Sequence, residues 1–175
     1  QQLLNMGDPE VNQLRYLQVI ENKTAKLFEA ACQLAAIISD KSLETEQAMA
    51  KYGNRLGSAF QIADDVLDYN GKANTMGKNV GMDLAEGKPT LPLIIARERC
   101  GESDRELLDA AIRNGGVDDI KPILSVIEKT DSINSAMEIA RSHALGASQA
   151  IGILPDSRWR AALEQLADYS VNRDH

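Results

Sequence analysis

Four side chains able to handle charge stand at helical spacing in Phe60-Gln61-Ile62-Ala63-Asp64-Asp65-Val66-Leu67-Asp68. On an α-helix Gln61, Asp64, Asp65 and Asp68 fall at i, i+3, i+4 and i+7 and share one face, with Leu56, Phe60, Ala63 and Leu67 in an apolar stripe beside it. Aspartate is a poor interior helix former, and like charges at this spacing repel by about 0.2–0.5 kcal/mol per pair. The helix dipole adds its own negative end at the C-terminus. A cation would relieve all three penalties. Short carboxylate side chains suit a hard divalent ion, and Mg2+, which keeps several waters and shares its shell with phosphates, fits best. The plain alternative is a solvated acidic face, and the apolar neighbours Leu56, Phe60 and Leu67 argue against it by pointing to a buried helix.

Complementary charge follows directly. Residues 70–90 hold Gly71, Gly77, Gly81 and Gly87 among Lys72, Lys78, Asp83, Glu86 and Lys88, with few large apolar residues. A long loop in a compact helical protein is more often functional than not. Lys78 and Lys88, on glycine-rich backbone just after the carboxylates, complete the ingredients of a diphosphate site: metal, ammonium groups and adaptable backbone. Lysines among glycines also describe an ordinary soluble loop. Upstream, Lys23-Thr24 sets an ammonium and a hydroxyl into an apolar helical run, where a snorkelling side chain and a helix back-bond are the simple explanations.

The elements that must position these groups are all helical. Asp8-Pro9 is a helix-start signature, followed by Leu14, Leu17, Ile20, Leu27, Ala31 and Leu34 at near-helical spacing, interrupted by Asn22-Lys23-Thr24. A second long helix is predicted over 43–69, built from strong formers and stopped at Asn70-Gly71. After the loop, Thr90 can cap a helix over 91–99 and Ser103 one over 103–114, ended by Gly115-Gly116. Further helices are predicted over 117–129, 132–153 and 158–171. Trp159 and Tyr169, on the last of these, read as packing residues, and His143 and His175 have no partner constellation for catalysis.

Phe60-Gln61-x-x-Asp64-Asp65-x-x-Asp68, with Gly77-Lys78 and Glu86-Gly87-Lys88-Pro89-Thr90-Leu91-Pro92 after it, closely resembles the second aspartate-rich region of the trans-polyprenyl diphosphate synthases. Lys23-Thr24-Ala25-x-Leu27-Phe28 is similar to that family's Lys-Thr motif, and the likeness runs to Asn172-Arg173-Asp174, nearest to the long-chain, octaprenyl-type bacterial branch. The resemblance implies an all-α bundle around a deep cavity, with two aspartate-rich motifs facing across its mouth and Mg2+ bridging them to an allylic diphosphate. It implies that Asp64 and Asp65 hold the metal and that Asp68 supports it, partly through water. Gln61, Lys23, Lys78 and Lys88 would contact or neutralise diphosphate, and the Thr24 region would face the developing allylic cation. Asp83 matches a further acidic position, with Met82 where related enzymes often have another aspartate.

The implied activity is condensation of isopentenyl diphosphate with an allylic prenyl diphosphate, yielding a long all-trans chain of the kind used for the ubiquinone side chain. In the family the first aspartate-rich motif and the isopentenyl diphosphate grip lie upstream of Lys-Thr, so residues 1–175 read as the C-terminal portion of one synthase domain. Such a portion is expected to be inactive alone, to leave the apolar faces of 25–38 and 56–67 uncovered, and to belong to a homodimer when complete. Two other readings compete. A terpene cyclase of the same fold usually carries an Asn/Ser-containing second metal motif, unlike Asp64-Asp65-x-x-Asp68. A non-catalytic helical partner subunit has no reason to keep Lys23, Asp64, Asp65, Lys78 and Lys88.

Composition narrows the remaining classes. The 175 residues are 43% hydrophobic and 26% charged, close to globular averages, with 4% aromatics and no turn signals every ten residues, which disfavours a β-sandwich or barrel. A net charge of −7 spread along the chain offers no basic surface to nucleic acid. No apolar run reaches membrane-spanning length, so integral membrane contact is not expected. Cys32 and Cys100 stand singly, without metal-ligand spacing, as reduced thiols of a cytoplasmic protein would.

Overall fold

The computed structural model describes residues 5–69, 80–115 and 120–173. Among these the chain is all-α, without a strand. The helices are α1 (Gln13–Ile20), α2 (Lys26–Ile38), α3 (Leu43–Leu67), α4 (Met82–Ala85), α5 (Leu91–Arg99), α6 (Glu102–Asn114), α7 (Lys121–Lys129), α8 (Ser132–Ala150) and α9 (Arg158–Asn172). A π-helical turn, Glu21–Ala25, joins α1 to α2, and a 3-10 turn, Ile151–Ile153, follows α8.

Side-chain hydrogen bonds explain where the helices start. The helix expected from Asp8-Pro9 begins four residues later, because Asp8 Oδ1 accepts the Glu10 N–H in a local turn while Asn12 Oδ1 takes the Arg15 N–H at 3.0 Å as the cap. Ser42 and Ser157 cap α3 and α9 through the N–H groups of Thr45 and Arg160. Thr90 holds the N-cap position of α5 with extended backbone but makes no capping bond; its hydroxyl meets Tyr69 Oη at 3.0 Å instead. Gly101, rather than Ser103, precedes α6, and Gly115 ends it at φ 66°. α2 closes in a Schellman motif, with Asp40 left-handed at φ 49° and the Lys41 N–H on the Ala36 carbonyl.

The chain divides into two compact units, Gln1–Val19 with Asp64–Ala136, and Ile20–Ala63 with Met137–His175. In the first, Tyr69, Leu84, Leu93, Leu108, Ile112, Ile123, Val126 and Ile127 form the core. The first six residues of α5, Leu91 to Ala96, are apolar and all buried, and its charged end Arg97-Glu98-Arg99 leaves the core. In the second, Tyr52, Leu56, Ala147, Ile151 and Ala167 form the core, with Phe28, Cys32, Met49 and Leu163 packed on it.

The expected uncovered faces are found on one element and absent on the other. On α2, Leu27, Leu34 and Ile38 are 73%, 56% and 83% exposed. On α3, Leu56, Ala59, Ile62, Ala63 and Val66 are buried, because that helix supplies core residues on more than one side. Trp159 and Tyr169, read as packing residues, are both exposed on α9. Among the described residues no helix is long and apolar enough to cross a membrane.

Candidate functional site

The acidic end of α3 places its three aspartates in three environments. Asp64 is exposed. Asp65 is 5% exposed and its Oδ2 accepts the Tyr16 hydroxyl of α1 at 2.6 Å. Burial first, and then the Asp65 charge and this hydrogen bond, push the Tyr16 phenol well above its ordinary pKa, so it stays a donor. Asp68, half-buried just past α3, accepts the Met82 N–H on Oδ1 at 3.1 Å and the Asp83 N–H on Oδ2 at 3.0 Å. It therefore caps α4 from fourteen residues upstream, where no local cap residue is available. Burial first, with the Asp83 charge beside it, pushes the Asp68 carboxyl up against the pull of these two amides and Lys88.

The segment after α3 is built onto this cap. The Gly81 N–H bonds the Asp68 carbonyl at 2.9 Å, and Gly81 turns the chain at φ 80°. Any Cβ there would stand 2.1 Å from Ile120 Cδ1, so only glycine fits without displacing that side chain. The expected single loop over 70–90 thus contains a helical turn, α4, and behind it Lys88 is drawn back onto its own segment. Lys88 Nζ lies 3.0 Å from Asp83 Oδ1 and 2.6 Å from Glu86 Oε2. Burial works against its charge, but the hydrogen bonds to Glu86 and Asp83 outweigh it and raise its pKa, so the ammonium is retained.

In the other unit, Lys23 and Thr24 sit on the π-helical turn. The Lys26 N–H reaches back five residues to the Glu21 carbonyl, which widens the helix where the apolar run breaks. Lys23 is exposed, and Thr24 is half-buried. The Thr24 hydroxyl donates to Gln61 Oε1 at 2.8 Å, which replaces the back-bond that a threonine inside a helix would otherwise form. Beside Gln61, Phe60 packs on Phe28 with centroids 5.9 Å apart, and the Arg173 guanidinium lies 4.1 Å over the Phe60 ring. Arg173, near the chain end, is thereby tied to the glutamine segment.

The geometry brings together Thr24 with Gln61, and Asp68 with Asp83 and Lys88. It does not converge Asp64, Asp65 and Asp68 on a point, and among the described residues no three His, Cys, Asp or Glu side chains stand close enough to hold a metal ion. Lys78 lies outside the described residues. Carboxylate oxygens suit a hard cation, and Asp64 with Asp68 could furnish part of a Mg2+ shell that phosphate oxygens and water complete. Asp65, occupied by Tyr16, is the least available of the three in this arrangement. Tyr16 carried no signal in the sequence: it precedes Lys23 by seven residues, and its partner is far away in the chain.

The polyprenyl synthetase family profile matches residues 1–127. The octaprenyl diphosphate synthase of Haemophilus influenzae is 45% identical over 176 residues, covering 100% of this chain and 54% of that protein. Its Escherichia coli counterpart is 41% identical over 174 residues, covering 99% and 54%. The crystal structure of a Caulobacter crescentus polyprenyl synthase, complexed with calcium and isoprenyl diphosphate, matches with a TM-score of 0.92 and 38% identity, covering 99% of this chain and 54% of that one. The chain spans about half the length of the curated relatives it matches.

Proposed function

The chain belongs to the polyprenyl synthetase family, and from that premise we propose that residues 1–175 are the C-terminal portion of a synthase domain that condenses isopentenyl diphosphate with an allylic prenyl diphosphate. Its own residues would bind and neutralise the allylic diphosphate. The observation that carries this reading is the segment in which Asp68, four residues after the exposed Asp64, caps α4 and so anchors Asp83, which in turn pairs with Lys88.

Asp64 and Asp68 would contribute oxygens to Mg2+, and Asp65, whose Oδ2 holds the Tyr16 hydroxyl, would join them. When bound, the ion supplies positive charge to the diphosphate that leaves. Lys88, Lys78 and Lys23 would add ammonium charge to the diphosphate, and charge held ready in this way stabilises a leaving group strongly. The allylic carbon–oxygen bond breaks, the double bond of isopentenyl diphosphate attacks the cation, and a proton is lost to the released diphosphate. Gln61, held by the Thr24 hydroxyl, would contact the diphosphate, and the Thr24 region would face the cation. No nucleophilic side chain is needed.

The two octaprenyl-type relatives support a long-chain product of the kind that becomes a ubiquinone side chain. A cytoplasmic homodimer belongs to the same proposal, by family resemblance. An inactive state for these residues alone belongs to the same proposal, since they span 54% of the Haemophilus influenzae relative. Prenyl transfer by the full-length protein, with its loss in Asp64→Ala, tests the reading.

A further inference from the structure

Two glycines of α3 lie where the start of α2 runs against it backbone to backbone. A Cβ on Gly53 would stand 2.4 Å from the Phe28 carbonyl oxygen and 2.9 Å from Glu29 Cα. A Cβ on Gly57 would stand 2.8 Å from Ala25 Cα and 3.1 Å from Phe28 Cβ. The atoms in the way are backbone and the root of a side chain, so none can rotate aside. Neither glycine has positive φ, so no turn requires them. Glycine in a helix interior costs stability, and what it provides here is close approach.

Gly53, Gly57 and Gln61 recur at i, i+4 and i+8 and form one strip along α3. Opposite it run Phe28, Ala25 and Thr24. The strip ends at the 2.8 Å bond from the Thr24 hydroxyl to Gln61. We infer that Gly53 and Gly57 are positioning residues that set the separation of α2 from α3, and so hold the Thr24 hydroxyl on Gln61. This rests on the reading of Thr24 and Gln61 as substrate-facing groups. Ordinary contact for a Cβ begins at 3.4 Å, so alanine at 57 must move the 24–28 segment by about 0.6 Å. That stretches the Thr24–Gln61 bond toward about 3.4 Å, where little of it remains.

The test uses the full-length protein and two readouts. Thr24→Val keeps the side-chain shape and lacks the hydroxyl. In its crystal structure the Gly57–Ala25 separation should equal that of the wild type. Widening there would mean that the hydrogen bond, and not the glycines, sets the spacing, and would overturn the inference whether or not a glycine variant folds. In prenyl-transfer kinetics, Gly57→Ala and Thr24→Val should each lower kcat by about tenfold, and the double variant should be no worse than about twofold below the weaker single one. Multiplicative losses, or an unchanged kcat in Gly57→Ala, would overturn it. If Gly57→Ala does not fold, the Thr24→Val separation decides. A wild-type protein without prenyl transfer would refute the proposed function, while the crystallographic separation still decides the role of the glycines.

Discussion

The Tyr16 hydroxyl donates to Asp65 Oδ2 at 2.6 Å, with both residues 5% exposed. Neighbouring aspartates in sequence are thus set apart: Asp64 turns to solvent, and Asp65 turns inward to a buried donor. A hydrogen bond to a buried charge contributes more than one between neutral groups.

Tyr16→Phe removes that donor and leaves Asp65 buried. Stability should fall by about 2 kcal/mol, read from urea unfolding midpoints at constant m. A midpoint matching the wild type would show that Asp65 finds an equivalent partner and that Tyr16 is dispensable.

Asp68→Ala should release α4. The Met82 and Asp83 amides lose their acceptors, so their hydrogen exchange should rise by about tenfold or more, while core amides such as those of Ile94 and Leu108 stay protected. Asp68→Asn, which retains one acceptor oxygen, should give a smaller rise. Equal protection in all three proteins would mean that α4 holds without its distant cap.

His143 gives the pH dependence a direction. Burial first, and Arg55 second, hold its pKa below the ordinary value of 6.5, and its Nδ1 has no hydrogen-bond partner among the described residues. The unfolded chain therefore takes up the proton at higher pH than the native state does. The stability contributed by neutral His143 is complete above the unfolded value and is lost as pH falls through the lower folded one. Unfolding midpoints measured from about pH 7 to about pH 5 should fall less in His143→Gln than in the wild type. Parallel profiles would remove His143 from the account.

Most of the helical frame was legible in local signals: α3, α5, α6 and α9 fall within a few residues of where their stop and start residues put them. What local reading missed are partners distant in sequence. Asp8-Pro9 looked like a helix start, yet Asp8 closes a turn and Asn12 does the capping. A helical wheel puts Asp64, Asp65 and Asp68 on one face, but such a face spans enough arc for Asp65 to reach Tyr16 while Asp64 meets solvent. Asp68 leaves the helix to cap α4 because that short turn begins at a glycine with no side chain of its own. The π-helical turn was foreshadowed only by a break in the apolar run at 22–24. Gly53 and Gly57 gave no signal, since the backbone they meet, at Ala25, Phe28 and Glu29, is distant in the chain.

Asp64 should be unimportant for folding. It is exposed, and its removal relieves repulsion along α3, so Asp64→Ala should unfold within about 0.5 kcal/mol of the wild type. A large loss of stability would indicate a structural role instead of a ligand role.

The central claim, that this chain carries a diphosphate-holding portion of a prenyl synthase, is tested most directly by incorporation of radiolabelled isopentenyl diphosphate onto an allylic primer with Mg2+. Three proteins are compared: full-length, full-length Asp64→Ala, and residues 1–175 alone. The account predicts long-chain product from the first, at least a hundredfold less from the second, by about 2.7 kcal/mol of lost transition-state stabilisation, and none from the third. Full turnover in Asp64→Ala, or elongation by residues 1–175 comparable to that of the full-length protein, would contradict it.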